Sequence, residues 1–137
     1  LAAWIGADAR IINAGRGHKA DIRLLETRAR LPWSGYMGMH ALPEINAAIR
    51  SARTSIIFVN TRAQAELLFQ HLWEANHDGL PIGLHHGSLD REHRLKVEAA
   101  MHEGKLRAIV ATASLDLGLD WGSVDLVIQV GAPKGIS

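Results

Sequence analysis

Ala108-Ile109-Val110-Ala111-Thr112-Ala113-Ser114-Leu115-Asp116-Leu117-Gly118-Leu119-Asp120, followed by Val124-Asp125-Leu126-Val127-Ile128-Gln129, is the stretch that decides how this chain reads. Ala108–Ala111 is a short aliphatic run of the kind found in buried strands. It passes into small hydroxylated residues and a turn, and a second apolar strand is expected over 124–130. In an open parallel α/β sheet, ligands lie at the carboxyl ends of the strands. Thr112, Ser114, Gly118 and Asp120 stand at such an end, and they are the small, polar or flexible residues that a ligand approaches closely.

The elements upstream support a parallel sheet. Pro43 suits the first position of a helix, and Ile45, Ala48, Ile49 and Ala52 follow on one helical face. Thr54–Val59 reads as a buried strand. Thr61 with Gln64 three residues on is a capping-box pattern, and Ala65, Leu68, Phe69, Leu72 and Trp73 form the apolar stripe of the helix it opens. Gly79 and Pro81 end that helix, and Ile82–Leu84 is a short strand. Asp90 is placed to cap a helix from Arg91 to His102, with Gly104 to terminate it. Strands that alternate with amphipathic helices imply crossover connections and parallel pairing. Before residue 42 the pattern is thinner. A helix end is expected over 1–9, short strands over Arg10–Asn13 and Asp21–Glu26, and an irregular loop over 30–41, where Pro32, Gly35 and Gly38 fall.

A chain of 137 residues suits one domain with a real core. It begins at Leu1 and stops at Ser137, just after a strand, so a fragment of a longer protein is expected. Cysteine is absent, which removes disulfides and thiolate metal sites. No stretch has the length of a membrane span. The formal net charge is only +1, so any nucleic-acid contact must come from a few placed groups rather than a basic surface. The locally basic segment 10–30 reads as solvated surface.

Several residues are candidates for chemistry, and each has a plainer role. Thr61 and Arg62 lie where a strand meets a helix N-terminus, a natural phosphate site; a capping threonine needs no ligand, however. His85-His86-Gly87-Ser88 follows a short strand. Gly87 permits close backbone approach, and Ser88 either donates to a phosphate or opens the next helix. His93 completes an apparent histidine cluster, yet no acidic or cysteine partner stands at ligand spacing, so no metal site is expected. Thr112, Gly118 and Asp120 serve either a ligand or a tight turn. Gln129, in a buried strand, must find hydrogen bonds. Trp33, Trp73 and Trp121 are possible stacking platforms, with Trp73 better placed in the core.

Three of these stretches, in order, resemble helicase motifs. Ser55-Ile56-Ile57-Phe58-Val59-Asn60-Thr61-Arg62 looks like motif IV of superfamily 2, Leu84-His85-His86-Gly87-Ser88-Leu89-Asp90-Arg91 like the motif that follows it, and Ala111–Asp120 like motif V. With Pro32-Trp33-Ser34-Gly35 and Gln129-Val130-Gly131-Ala132-Pro133-Lys134, the chain is similar to the large-helicase-related (Lhr) family, and within it to the bacterial ligase-associated DEXH-box helicases. The resemblance implies a RecA-like three-layer α/β sandwich with a mainly parallel sheet. Residues 1–19 would end a preceding domain, and 20–137 would be the second motor domain, incomplete at its C-terminus. Thr61, Arg62, His86, Gly87, Ser88 and Thr112 would lie on the path of a nucleic-acid strand, and Gly118 and Asp120 on the ATP cleft.

The resemblance further implies a cytoplasmic DNA helicase that works with ATP and Mg²⁺ on a single strand or partial duplex, in DNA repair, with a ligase and nuclease system as possible partners. No G-x-x-x-x-G-K-[ST] phosphate loop and no acidic DEXH box occur in the sequence. This domain is therefore expected to hold no catalytic residue and to be inactive alone, with ATP and Mg²⁺ bound mainly by a first RecA-like domain. A different class stays open: a stand-alone α/β module that binds a nucleotide or a protein without motor activity.

Overall fold

Register explains most of the architecture. In the computed structural model, which describes residues 20–28, 38–113, 115 and 123–132, Ser55 lies opposite both Ala108 and Leu126, and Ile82 lies opposite Ala108. The strands β1 (Ser55–Phe58), β2 (Ile82–His85), β3 (Ala108–Ala111) and β4 (Leu126–Gln129) therefore start level and end level. All pairings are parallel, in the order β2-β3-β1-β4. Among the described residues three helices accompany them: α1 (Leu42–Ser51), preceded by a 3₁₀ turn over Met39–Ala41, α2 (Arg62–Glu74) and α3 (Arg91–His102).

The period of two along each strand sorts the core into two layers. Ile57, Val59, Ala108 and Val110 face α1 and α2, where Ile45, Ile49, Ala65, Leu68 and Leu72 are fully buried against them. Ile56, Ile109 and Ala111 point the other way, onto Met101 and Val97 of α3 and onto Leu115. Helices cover both faces of the central strands, which is why these read as unbroken apolar runs. Gly83 lets that contact stay close. A Cβ there would stand 3.0 Å from Leu106 Cδ1 and 3.2 Å from Val97 Cγ1.

Helix ends follow local chemistry. Gly104 has φ +67°, and its N–H reaches Met101 O while that of Lys105 reaches Ala100 O, the Schellman closure of α3. Pro43 is the second residue of α1 rather than its first. Asp90 precedes α3 but makes no side-chain cap.

Other expectations are corrected. Asp21–Glu26 is not a strand: it runs exposed, with Ile22 and Leu24 about nine-tenths bare, because no described strand pairs with it. Trp73 is not core: it is 58% exposed and stacks on Phe69 at 5.9 Å. It sits one residue past Leu72, at the border of the apolar stripe. The strand at 124–130 is not buried throughout. β4 pairs only with β1 among the described residues, Val127 is 59% exposed, and Gln129 lies on the surface rather than in a core. The expected elements over 1–9 and Arg10–Asn13 lie outside the described residues, as do Trp33, Trp121, Lys134 and most of 30–41.

Candidate nucleic-acid interface

Level parallel strands bring their carboxyl ends to one rim, and the candidate residues gather there. After β1 the chain passes Val59 and Asn60 to Thr61, whose extended backbone (φ −132°, ψ 154°) makes it the N-cap of α2. Its Oγ1 accepts the N–H of Gln64 at 3.2 Å. The return bond of the box is shifted by one residue, because Gln64 Oε1 accepts from Asn60 N–H at 3.1 Å. The cap uses the acceptor side of the threonine hydroxyl and leaves its proton directed elsewhere. Arg62 is exposed, and its Nη1 donates to Ser88 Oγ at 2.8 Å.

The end of β2 is held more tightly than its sequence suggests. Successive strand residues point to opposite faces, so His85 turns to α3 and His86 to α2. His85 Nε2 is 2.8 Å from Glu98 Oε1, and His86 Nε2 is 3.1 Å from Glu66 Oε1. Both rings are buried. They brace two helices in two directions and so do not form one ligand set; among the described residues no group of metal-ligating side chains is present. His86 Nδ1 accepts the N–H of Ser88 at 3.3 Å, which ties the loop to the buried ring. Gly87 and Ser88, between this anchor and α3, are exposed.

β3 completes the rim. The N–H of Thr112 donates to His85 O at 3.2 Å, so the β3 exit is stitched to the β2 exit. Its carbonyl accepts from Leu115 N–H at 3.0 Å, turning the chain away. Thr61, Arg62, His86, Gly87, Ser88 and Thr112 thus share one edge. Ser114, Gly118 and Asp120 lie outside the described residues.

Three contributors were missed. Asn60 Nδ2 donates to Ala132 O at 2.9 Å, tying the β1 exit to the chain after β4. A polar residue between Val59 and the Thr61 cap was the available signal. Glu66 and Glu98 brace the two histidines. Glu66 stands four residues after Arg62 and so one turn along the same helix face; nothing local in the sequence pairs Glu98 with His85.

The rim offers hydroxyls, backbone N–H groups near a helix N-terminus and the Arg62 guanidinium. Such groups recognise phosphates rather than base edges. Residues 38–137 match the helicase conserved C-terminal domain. The chain belongs to this family. This helicase C-terminal domain is 42% identical over 89 residues to ATP-dependent helicase Lhr-Core of Methanocaldococcus jannaschii, a match that spans 65% of this chain and 10% of that protein. It is 37% identical over 121 residues to the Lhr helicase/probable uracil glycosylase of Mycolicibacterium smegmatis, covering 65% of this chain and 8% of that one. Among solved structures it is similar to Mycobacterium smegmatis helicase Lhr bound to ssDNA and AMP-PNP, with 38% identity and a TM-score of 0.66 over 75% of this chain and 14% of that chain. Saccharomyces cerevisiae Dbp5 bound to RNA shares the fold at 23% identity, with a TM-score of 0.61 over 72% of this chain and 25% of that chain. The similarity to Lhr agrees with the motifs around Thr61, His86 and Thr112, and the fold is RecA-like, as those motifs imply.

Proposed function

We propose that this domain is the second motor domain of an ATP-dependent DNA helicase or translocase, occupying residues 20–137. The observation that carries the reading is the common rim: a capping threonine, an exposed arginine, a glycine-serine turn and a second threonine, all at the carboxyl edge of one parallel sheet. Thr61, Arg62, Gly87 and Thr112 grip the phosphates of one strand, with Ser88 beside Arg62 on the same path and His86 beneath them. Gly118 and Asp120 form this domain's wall of the ATP cleft. A first RecA-like domain of the same protein supplies the phosphate loop and the Mg²⁺ ligands, which phosphoryl transfer requires. Closure of the cleft moves the two grips relative to each other, and the strand advances.

Support comes from the names and contents of the relatives: Lhr-Core proteins are called ATP-dependent helicases, and the M. smegmatis Lhr structure holds ssDNA and a nucleotide analogue. DNA repair in the cytoplasm, beside a ligase and a nuclease, is the setting in which we place the motor. No helix among the described residues is long and apolar enough to cross a membrane. The deciding experiment is ATP turnover by the intact protein with and without single-stranded DNA. Stimulation by the strand is expected, and turnover indifferent to DNA would overturn the reading.

A further inference from the structure

Arg62 does not meet the solvent as a free arginine. Its Nη1 donates to Ser88 Oγ at 2.8 Å, across the gap between the α2 N-terminus and the β2–α3 loop. Ser88 is fixed in turn, because its N–H donates to His86 Nδ1 at 3.3 Å. His86 is only 2% exposed, and its turn is closed by the Leu89 N–H on His86 O at 3.1 Å. On the far side of the ring, Nε2 lies 3.1 Å from Glu66 Oε1 without an aligned hydrogen bond. Glu66 belongs to the same helix as Arg62, one turn on. The bonded path runs from Arg62 on α2 through Ser88 to His86, whose ring lies beside Glu66 on α2 again.

We infer that Ser88 is a positioning residue for Arg62: it presents the guanidinium to a strand phosphate and does not itself contribute an independent grip. This rests on the reading of the rim as a strand-binding edge. The chemistry favours positioning. An arginine side chain loses much rotamer freedom when it is held still, and holding it in place before the ligand arrives removes part of that cost from binding. One Nη1 hydrogen goes to Ser88, which leaves the rest of the fork for a bidentate phosphate contact. The buried imidazole supplies rigidity, since an acceptor that cannot rotate into water holds the serine backbone in one place.

The inference separates from a direct serine contact by a double-mutant cycle. Affinity of the intact protein for a fluorescein-labelled oligo(dT) is measured across a range of salt for wild type, Arg62→Ala, Ser88→Ala, the double variant and Ser88→Thr. Arg62→Ala should weaken binding about tenfold, in keeping with a charged hydrogen-bonded contact, and flatten the salt slope by about one unit. Ser88→Ala should weaken binding about threefold, because the guanidinium stays and only its positioning is lost, and keep the slope, because no charge is lost. In the Arg62→Ala background Ser88→Ala should have no further effect, and Ser88→Thr should restore the wild-type value. Equal losses from Ser88→Ala with and without Arg62 would mean that Ser88 grips the strand itself, and would overturn the inference alone. A full-strength Ser88→Ala protein beside a weakened Arg62→Ala protein would do the same. An Arg62→Ala protein with unchanged affinity and slope would remove the strand-binding reading of Arg62 and the inference with it.

Discussion

Thr112 and Asp125 show how single residues at the two ends of the sheet differ in kind. Thr112 joins the exits of β3 and β2 through its backbone, and it carries no charge. Thr112→Ala should therefore leave the salt slope of strand binding unchanged in the intact protein. It should instead slow unwinding more than it weakens binding, as unwinding assays beside equilibrium titrations would reveal. A parallel loss of both would make Thr112 an ordinary contact. Asp125 sits at the entrance to β4, away from the rim, and works on stability. Its Oδ2 accepts from the N–H of Arg53 at 3.0 Å and of Thr54 at 3.3 Å. The Arg53 backbone N–H is the main cause that holds this carboxyl below the usual range, aided by the Thr54 N–H and the Arg53 guanidinium. A depressed carboxyl pKa stabilises the fold above the unfolded value of about 3.9, and that contribution disappears as pH falls through the lower folded value. Asp125→Asn should accordingly lower the melting temperature at neutral pH, with the gap to wild type closing in acid. Thermal melts from pH 7 down to pH 3 measure it, and a gap constant across that range would refute the assignment.

At the level of elements, caps and close approaches do what packing alone does not. Thr61→Ala removes the acceptor for Gln64 N–H and should cost about 1 kcal/mol in chemical denaturation, since an N-cap bond is worth about that much. Gly104→Ala should cost about 1–2 kcal/mol. No atom stands within 4 Å of the added Cβ, so the penalty comes entirely from the left-handed backbone at φ +67°. Recovery of wild-type stability by that variant would mean that the Schellman closure relaxes without loss. Both caps were legible in the sequence, because a threonine before an apolar stripe and a glycine after one are local signals. Asp90 carries the same kind of signal but makes no cap, since its side chain makes no bond to the first turn of α3. The strand expected over Asp21–Glu26 failed for a related reason. Partial alternation proposes a strand, but only a neighbouring strand supplies the ladder that makes one.

For the whole molecule, the proposed division of labour between two motor domains sets the strongest expectation. The 137-residue chain by itself should show no ATP turnover, because phosphoryl transfer needs a phosphate cradle, a metal and a charge-stabilising arginine together. A coupled-enzyme assay on the purified chain checks this. Steady turnover abolished by Asp120→Ala would mean that the reacting site lies here after all. Sequence by itself determined the parallel α/β class, the order of strand and helix from residue 42 onward, and the rim positions of Thr61, Arg62, His86 and Thr112. These follow from periodicity and from the rule that parallel strands end on one edge, both of which are written locally along the chain. Tertiary structure alone decided that Trp73 faces water and that β4 is half exposed, because burial depends on what lies opposite. It also decided that Arg62 rests on Ser88 and that His85 and His86 brace separate helices through Glu98 and Glu66. Those partners are far apart in sequence or on opposite faces of the sheet, and only the packing of α2 and α3 against β2 brings their atoms within hydrogen-bonding reach.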